Sequence, residues 1–222
     1  MVTRYLDAQG PRLGQAVRAA VAALTPGGIV AIPTDTVYGL AVRADDANAV
    51  RALYAVKRRP PTNPLPILLP DTEALGKACA GVPQAARALG QAFWPGPLTL
   101  VLAKSRAVSD RVTAGSDTVG VRVPDHPVAL AVLQACEFML AVTSANIASR
   151  EPAATPEDVR RTFSGDIPLI LAAGPCPGGV PSTVVQVTDQ GLRILRAGAV
   201  QARQLEAVLR QEHRSDLQAG TL

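Results

Sequence analysis

Aromatic residues make up only 3% of this 222-residue chain, with one tryptophan, three tyrosines and three phenylalanines. The core must therefore come from Ala, Val, Leu and Ile, which favours buried strands in an α/β arrangement over an aromatic-rich sandwich or a base-stacking platform. Cysteine is scarcer still: Cys79, Cys136 and Cys176 are odd in number, widely spaced and without a Cys-x-x-Cys pair. This argues against a disulfide framework or a zinc site, and a reducing cytoplasm is the expected setting. With only His126 and His213, histidine-based metal or triad chemistry has almost no material. No apolar run reaches about 18 residues, and Met1-Val2-Thr3-Arg4-Tyr5 begins no apolar signal core, so neither secretion nor a membrane span is expected. Neither Gly-x-x-x-x-Gly-Lys-Ser/Thr nor Gly-x-Gly-x-x-Gly occurs. Any phosphate grip must come from side chains instead.

What is present is an ordinary globular balance of 48% hydrophobic and 18% charged residues, with a net charge of +4. Nineteen of the 22 basic residues are arginine, whose planar fork suits phosphate or nucleic acid, although genomic base composition produces the same bias. Helical spacing of Leu13, Ala16, Val17, Ala20, Val21 and Leu24 predicts a helix over 11–24, stopped by Pro26-Gly27-Gly28. A strand follows over 29–32, then a loop over 33–37 and extended chain through Val42. Asp45 or Asp46 caps the next helix, with Lys57 and Arg58 in its last turn and Pro60-Pro61 ending it. Further strands are predicted at 66–69, 98–103, 119–123, 139–143, 168–171, 183–187 and 192–195, and helices at 83–92, 126–136, 156–163 and 201–212. Strands and helices alternate without a linker, so residues 1–213 read as one α/β domain, a twisted mixed sheet flanked by helices. Residues 214–222 read as a disordered tail.

Several short stretches can carry chemistry. Lys57 offers a point charge, Arg59 a bidentate fork, and Asn63 follows in the same proline-rich turn. The alternative is a basic helix end that caps its own carbonyls. In Thr118-Val119-Gly120-Val121-Arg122-Val123 the valines fall on one face and Gly120 and Arg122 on the other, leaving room for a ligand beside an arginine or simply a solvated face. Ser144 and Asn146 end an apolar strand, where ligands of α/β sheets commonly bind. Ser144 lacks a Gly-x-Ser-x-Gly elbow and a base, so it reads as a hydrogen-bond partner or turn cap rather than a nucleophile. Trp94-Pro95-Gly96-Pro97 reads as a rigid turn. Ser182 either meets a ligand or begins a strand, and Arg196 is another strand-end arginine.

In order and wording these stretches resemble the YrdC family of threonylcarbamoyl-AMP synthases. The resemblance runs from about residue 12 to 200 and rests on Lys57-Arg58-Arg59, Ser144-Ala145-Asn146, the loop Pro33-Thr34-Asp35-Thr36-Val37-Tyr38-Gly39-Leu40, the Trp-Pro-Gly-Pro-Leu-Thr turn, Gly-Val-Arg-Val-Pro and Leu-Arg-x-Gly. It implies a YrdC-like fold and a nucleotidyltransferase that makes threonylcarbamoyl-AMP and pyrophosphate from L-threonine, bicarbonate or CO2 and ATP with Mg²⁺. The product serves the N6-threonylcarbamoyl modification of adenosine 37 in tRNA, through partner threonylcarbamoyl transferase proteins and with possible direct RNA contact. By the same resemblance Thr36, Arg122 and Ser182 hold threonine; Arg59, Asn63, Thr118, Ser144, Asn146 and Arg196 contact ATP; and Lys57 lies beside its phosphates. Lys57, Arg59, Ser144 and Asn146 form the family's catalytic signature. No protein side chain is expected to bind the metal. Leu68 stands where many relatives carry a histidine near threonine, and Pro181 where a glutamate is frequent. The chain resembles the short form of the family. A noncatalytic RNA-binding module and a carbamoyl-transfer domain are the alternatives.

Overall fold

The computed structural model describes residues 2–188 and 191–219, with side chains of the last helix described as far as Glu212. In chain order the strands are β1 (Arg4–Asp7), β2 (Val30–Ile32), β3 (Gly39–Arg43), β4 (Ile67–Leu68), β5 (Leu98–Ala103), β6 (Thr118–Arg122), β7 (Leu140–Ser144), β8 (Leu169–Ala172), β9 (Thr183–Thr188) and β10 (Gly191–Arg196). The helices are α1 (Leu13–Leu24), α2 (Ala47–Lys57), α3 (Leu75–Ala78), α4 (Gln84–Phe93), α5 (Asp110–Thr113), α6 (Pro127–Ala135), α7 (Pro156–Phe163) and α8 (Ala202–Ala219). The strands form one mixed sheet in the order β1-β8-β2-β3-β7-β4-β6-β5-β9-β10. The β1–β8, β2–β8, β4–β6 and β5–β9 pairs are parallel and the others antiparallel.

Strand alternation sorts the two faces. Val119 and Val121 of β6, Leu98 and Leu100 of β5 and Val185 of β9 point to one face, where they pack with Leu53 of α2, Leu89 of α4, Phe163 of α7 and Leu205 of α8. On the opposite face, Val30 and Ile32 of β2 and Val142 of β7 pack against Leu24 of α1 and Val132 of α6. Those two helices cover the β1-β8-β2-β3-β7 half. Beyond it, the face made of Thr99, Val101, Thr118, Gly120 and Arg122 lines a cavity instead.

The local chemistry of the ends is plain. Asp46 caps α2, its carboxylate accepting the amides of Asn48 at 2.8 Å and Ala49 at 3.1 Å, while Asp45 pairs with Arg43. Thr155 and Asp158 form a reciprocal capping box at the start of α7. Helix α2 ends one residue sooner than expected, because Arg58 takes a left-handed conformation with φ 50° and closes the helix as its C-cap. Pro60-Pro61 therefore follow the stop rather than cause it.

Three short elements were not legible: the edge strand β1 and the single turns α3 and α5. The strand expected over 66–69 shrinks to Ile67–Leu68, although Pro66 O and Leu69 N extend the ladder by bonding Val142 N and Arg122 O. Helix α8 continues past 212, the expected end, to Ala219. Of the tail expected over 214–222, residues 220–222 lie outside the described residues.

Candidate active site

A cavity of about 340 Å³ sits on the half of the sheet face that α1 and α6 leave open. Its floor is strand, and its rim comes from three loops, at 34–39, 59–66 and 181–182, together with the ends of β7 and β10. Gly120 keeps the floor low. A Cβ there would lie 3.3 Å from Thr99 Cγ2 and 3.4 Å from Pro66 Cβ, so the 59–66 turn crosses directly over it.

At one end, Arg122 is buried and its guanidinium is held on three sides. Nε donates to Gly96 O at 2.8 Å, Nη1 to Thr36 Oγ1 at 3.0 Å and Nη2 to Asp35 Oδ1 at 2.5 Å. The same Asp35 oxygen accepts the Asp125 amide at 3.0 Å. Thr34 builds the loop that presents these residues. Its Oγ1 accepts the amides of Thr36 and Val37 at 3.2 and 3.3 Å and donates to Val37 O at 2.6 Å. Gly178 packs behind this loop, where a Cβ would come within 2.6 Å of Asp35 O.

Opposite, Ser182 and Arg196 act as a unit. Arg196 donates through Nε and Nη2 to Ser182 O at 3.2 and 2.8 Å and through Nη2 to Ser182 Oγ at 3.1 Å; that hydroxyl also meets Thr99 Oγ1 at 2.9 Å. A bulge brings Arg196 there. Ile194 pairs with Val185 and Arg196 with Val184, so Leu195 is an inserted residue, and both Leu195 and Arg196 line the cavity. Bulges commonly re-aim a side chain in this way, and they also blunt an edge strand such as β10.

The third wall is the 57–66 segment against the end of β7. Arg59 folds back on its own turn, Nη2 donating to Pro64 O at 3.0 Å and Nε to Asn63 O at 3.3 Å, and Tyr54 Oη donates to the same Asn63 carbonyl at 2.8 Å. Lys57 is 1% exposed. Its Nζ donates to Ser144 O at 2.5 Å, Asn146 O at 2.7 Å and Asn146 Oδ1 at 3.1 Å. Ser144 Oγ donates to Asn146 Oδ1 at 2.6 Å.

Electrostatically the site is cationic and under-compensated. Among the described residues, Asp35 is the one carboxylate that forms an ion pair with Lys57, Arg59, Arg122 or Arg196. Burial lowers the pKa of all four cations, and mutual repulsion adds to it: Arg59 depresses Lys57 and Arg196, and Arg196 depresses Arg122, which Asp35 partly offsets. Against that downward pull, the three oxygens gathered around Lys57 Nζ favour its protonated form.

Residues 22–198 match the family model Sua5/YciO/YrdC, described as telomere recombination. The chain belongs to that family. Threonylcarbamoyl-AMP synthase of Bacillus subtilis is 39% identical over 209 residues, covering 94% of this chain and 59% of the relative. A putative threonylcarbamoyl-AMP synthase of Mycobacterium tuberculosis is 34% identical, covering 94% and 96%. Among solved structures, Pyrococcus abyssi Sua5 complexed with L-threonine superposes with a TM-score of 0.88 at 36% identity, covering 94% of this chain and 61% of that one. Escherichia coli YciO gives 0.80 at 25% identity, covering 90% and 98%. The chain thus spans about 60% of the length of the Bacillus relative and of the threonine-bound Sua5 chain.

Measured against this Sua5/YciO/YrdC scaffold, the expected site residues divide in two. Thr36, Arg59, Thr118, Arg122, Ser144, Ser182 and Arg196 all line the one cavity, as do Leu68 and Pro181. Lys57, Asn63 and Asn146 do not line it. Lys57 lies beneath the Ser144–Asn146 turn, not on the wall where phosphates would touch it; the Asn63 side chain is exposed and only its carbonyl enters the network; Asn146 spends its amide on Ile147 O and Arg150 O. The sequence reading missed Asp35, the ion-pair partner of Arg122. Its one signal was an acid alone among uncharged residues in the 33–40 loop.

Proposed function

We propose that this chain is an L-threonylcarbamoyladenylate synthase, a nucleotidyltransferase that converts L-threonine, bicarbonate or CO2 and MgATP to threonylcarbamoyl-AMP and pyrophosphate. The observation that carries the reading is one cavity walled by Arg59, Arg122 and Arg196, of which Arg122 alone has a carboxylate partner among the described residues. Such a surplus of cation around one cavity calls for a polyanion, and the relatives named as this synthase, one solved family member with L-threonine bound, support which one.

The reaction asks little covalent chemistry of the protein. A carbamate formed on the threonine amine attacks the α-phosphorus, pyrophosphate leaves, and the threonylcarbamoyl oxygen stays on the adenylate. Holding the reactants together and neutralising charge supply the catalysis. Arg59 and Arg196 at the rim suit the phosphates; Arg122, beside Thr36, suits the threonine carboxylate. Mg²⁺ arrives on the phosphates as part of the substrate. Ser144 Oγ already donates to Asn146, in keeping with a binding role and not a nucleophilic one. The turn that carries Pro66 over Gly120 is the segment best placed to keep water off a hydrolysable mixed anhydride. The product would pass, in the cytoplasm, to transferase proteins that modify adenosine 37 of tRNA.

Incubating the protein with MgATP, bicarbonate and each amino acid in turn, and weighing the adenylate formed, tests the reading. Product with L-threonine alone is expected. Tight, salt-sensitive RNA binding with no turnover would replace this reading by a noncatalytic RNA-binding one. Arg59→Ala should remove charge-assisted contacts of about 1.5–3 kcal/mol and raise the ATP requirement at least about tenfold. An unchanged ATP dependence would remove Arg59 from the phosphate wall.

A further inference from the structure

We propose that Lys57 is a positioning residue, acting on the nucleotide only through the Ser144–Asn146 turn that its ammonium holds from beneath. The inference rests on the reading of the cavity as a nucleotide site. An ammonium has three N–H donors. Those of Lys57 meet three oxygens of the turn, Ser144 O, Asn146 O and Asn146 Oδ1, so no donor remains for a ligand. The side chain is also shut off from the cavity wall. Its backbone adds a fourth tie, Lys57 O accepting the Ala148 amide at 2.9 Å.

The grip reaches the cavity in two steps. Lys57 fixes the Asn146 carboxamide oxygen, which accepts the Ser144 hydroxyl at 2.6 Å, and Ser144 lines the wall. The other half of the carboxamide is anchored independently, Nδ2 donating to Arg150 O at 2.7 Å and Ile147 O at 3.0 Å, so Asn146 cannot rotate to follow a displaced lysine without breaking those bonds. Arginine does not fit this role. A planar guanidinium cannot present three convergent N–H groups to three oxygens gathered around one point, and it is bulkier than the space Lys57 fills. A lysine that merely neutralised phosphate would be replaced by arginine with little loss, and its removal would hurt ATP more than AMP.

The test uses Lys57→Met, which keeps the buried stem filled, and Lys57→Arg, with two readouts. Amide hydrogen exchange at Ala145, Asn146 and Ala148 should quicken about tenfold or more in both variants, while Leu140–Thr143 in the strand stays protected. Calorimetric affinities for AMP and for ATP should fall by the same factor, within about twofold, with no rescue by arginine. Combining Lys57→Met with Asn146→Ala should be no worse than the weaker-binding single variant, since both act through one turn. Unchanged exchange, arginine rescue, or a loss that grows from AMP to ATP would each overturn the proposal. Should Lys57→Met not fold, Asn146→Ala removes one of the three acceptor sites, keeps the lysine and is read the same way. If the wild type binds neither nucleotide, the functional reading falls, and exchange alone still decides what Lys57 does.

Discussion

Replacing Arg122 by Ala is expected to cost about 3–5 kcal/mol of stability, because it leaves the Asp35 carboxylate buried without its charge partner. The two side chains are only 7% and 11% exposed, so water screens the pair little. Against a total stability of about 5–15 kcal/mol for a typical domain, a loss of that size unfolds a substantial fraction of the chain on modest warming. Asp35→Asn in the same background should recover much of it, since the amide oxygen still accepts the Asp125 amide and no buried charge is stranded. The double variant is nevertheless expected to make no adenylate, having lost the group proposed to face the amino acid carboxylate. Urea denaturation of the two variants separates the effects. An Arg122→Ala midpoint equal to wild type would mean that solvent or another cation already satisfies Asp35.

Gly198→Ala is expected to be the next most damaging change. A Cβ at that position would lie 2.4 Å from Pro181 O and 2.5 Å from both Ser182 C and Thr183 N, and all three are backbone atoms that cannot swing away. Overpacking costs about 1–3 kcal/mol and occasionally more; the contact here is short in three directions, which argues for the upper end. The segment is doubly strapped as well: Thr183 Oγ1 donates to Val200 O at 2.7 Å and accepts the Val200 amide at 2.9 Å. Relief therefore has to move Ser182, and with it the Arg196 guanidinium that leans on Ser182 O. We expect a lower thermal midpoint together with weakened ATP binding, measured by calorimetry at a temperature where the variant is folded. Wild-type ATP affinity in a destabilised Gly198→Ala protein would show that Arg196 and Ser182 are not coupled through this strap.

How much of this was readable from the residues depends on distance along the chain. The floor of the cavity was legible, because the valines of Thr118–Val123 alternate with Gly120 and Arg122 and a pleated strand leaves no other arrangement. The tight Leu195-Arg196-Ala197-Gly198 ending was legible as a pattern, although not the bulge that aims Arg196. Lys57 was misread. A cation in the last turn of a helix ordinarily stays solvated near the carbonyl ends, and nothing local reveals that a turn 87 residues later closes over it. Asp35 was missed for the same reason, its partner also lying 87 residues on. Strand β1 has only four residues, two of them charged, and becomes a strand by pairing with β8 near the other end of the domain, a purely tertiary decision.

The walls of the cavity run from Thr34 to Arg196, and no two neighbouring elements complete it. For a chain being synthesised, the Arg196–Ser182 wall cannot form until Arg196 itself has left the ribosome, long after the Arg122 end is made. Non-local closure of this kind is slow to search. On the proposed reading, saturating nucleotide at about a hundredfold over its dissociation constant would add roughly 2.7 kcal/mol to the folded domain. Occupancy of the cavity is in that sense a report that the chain has folded as far as β10.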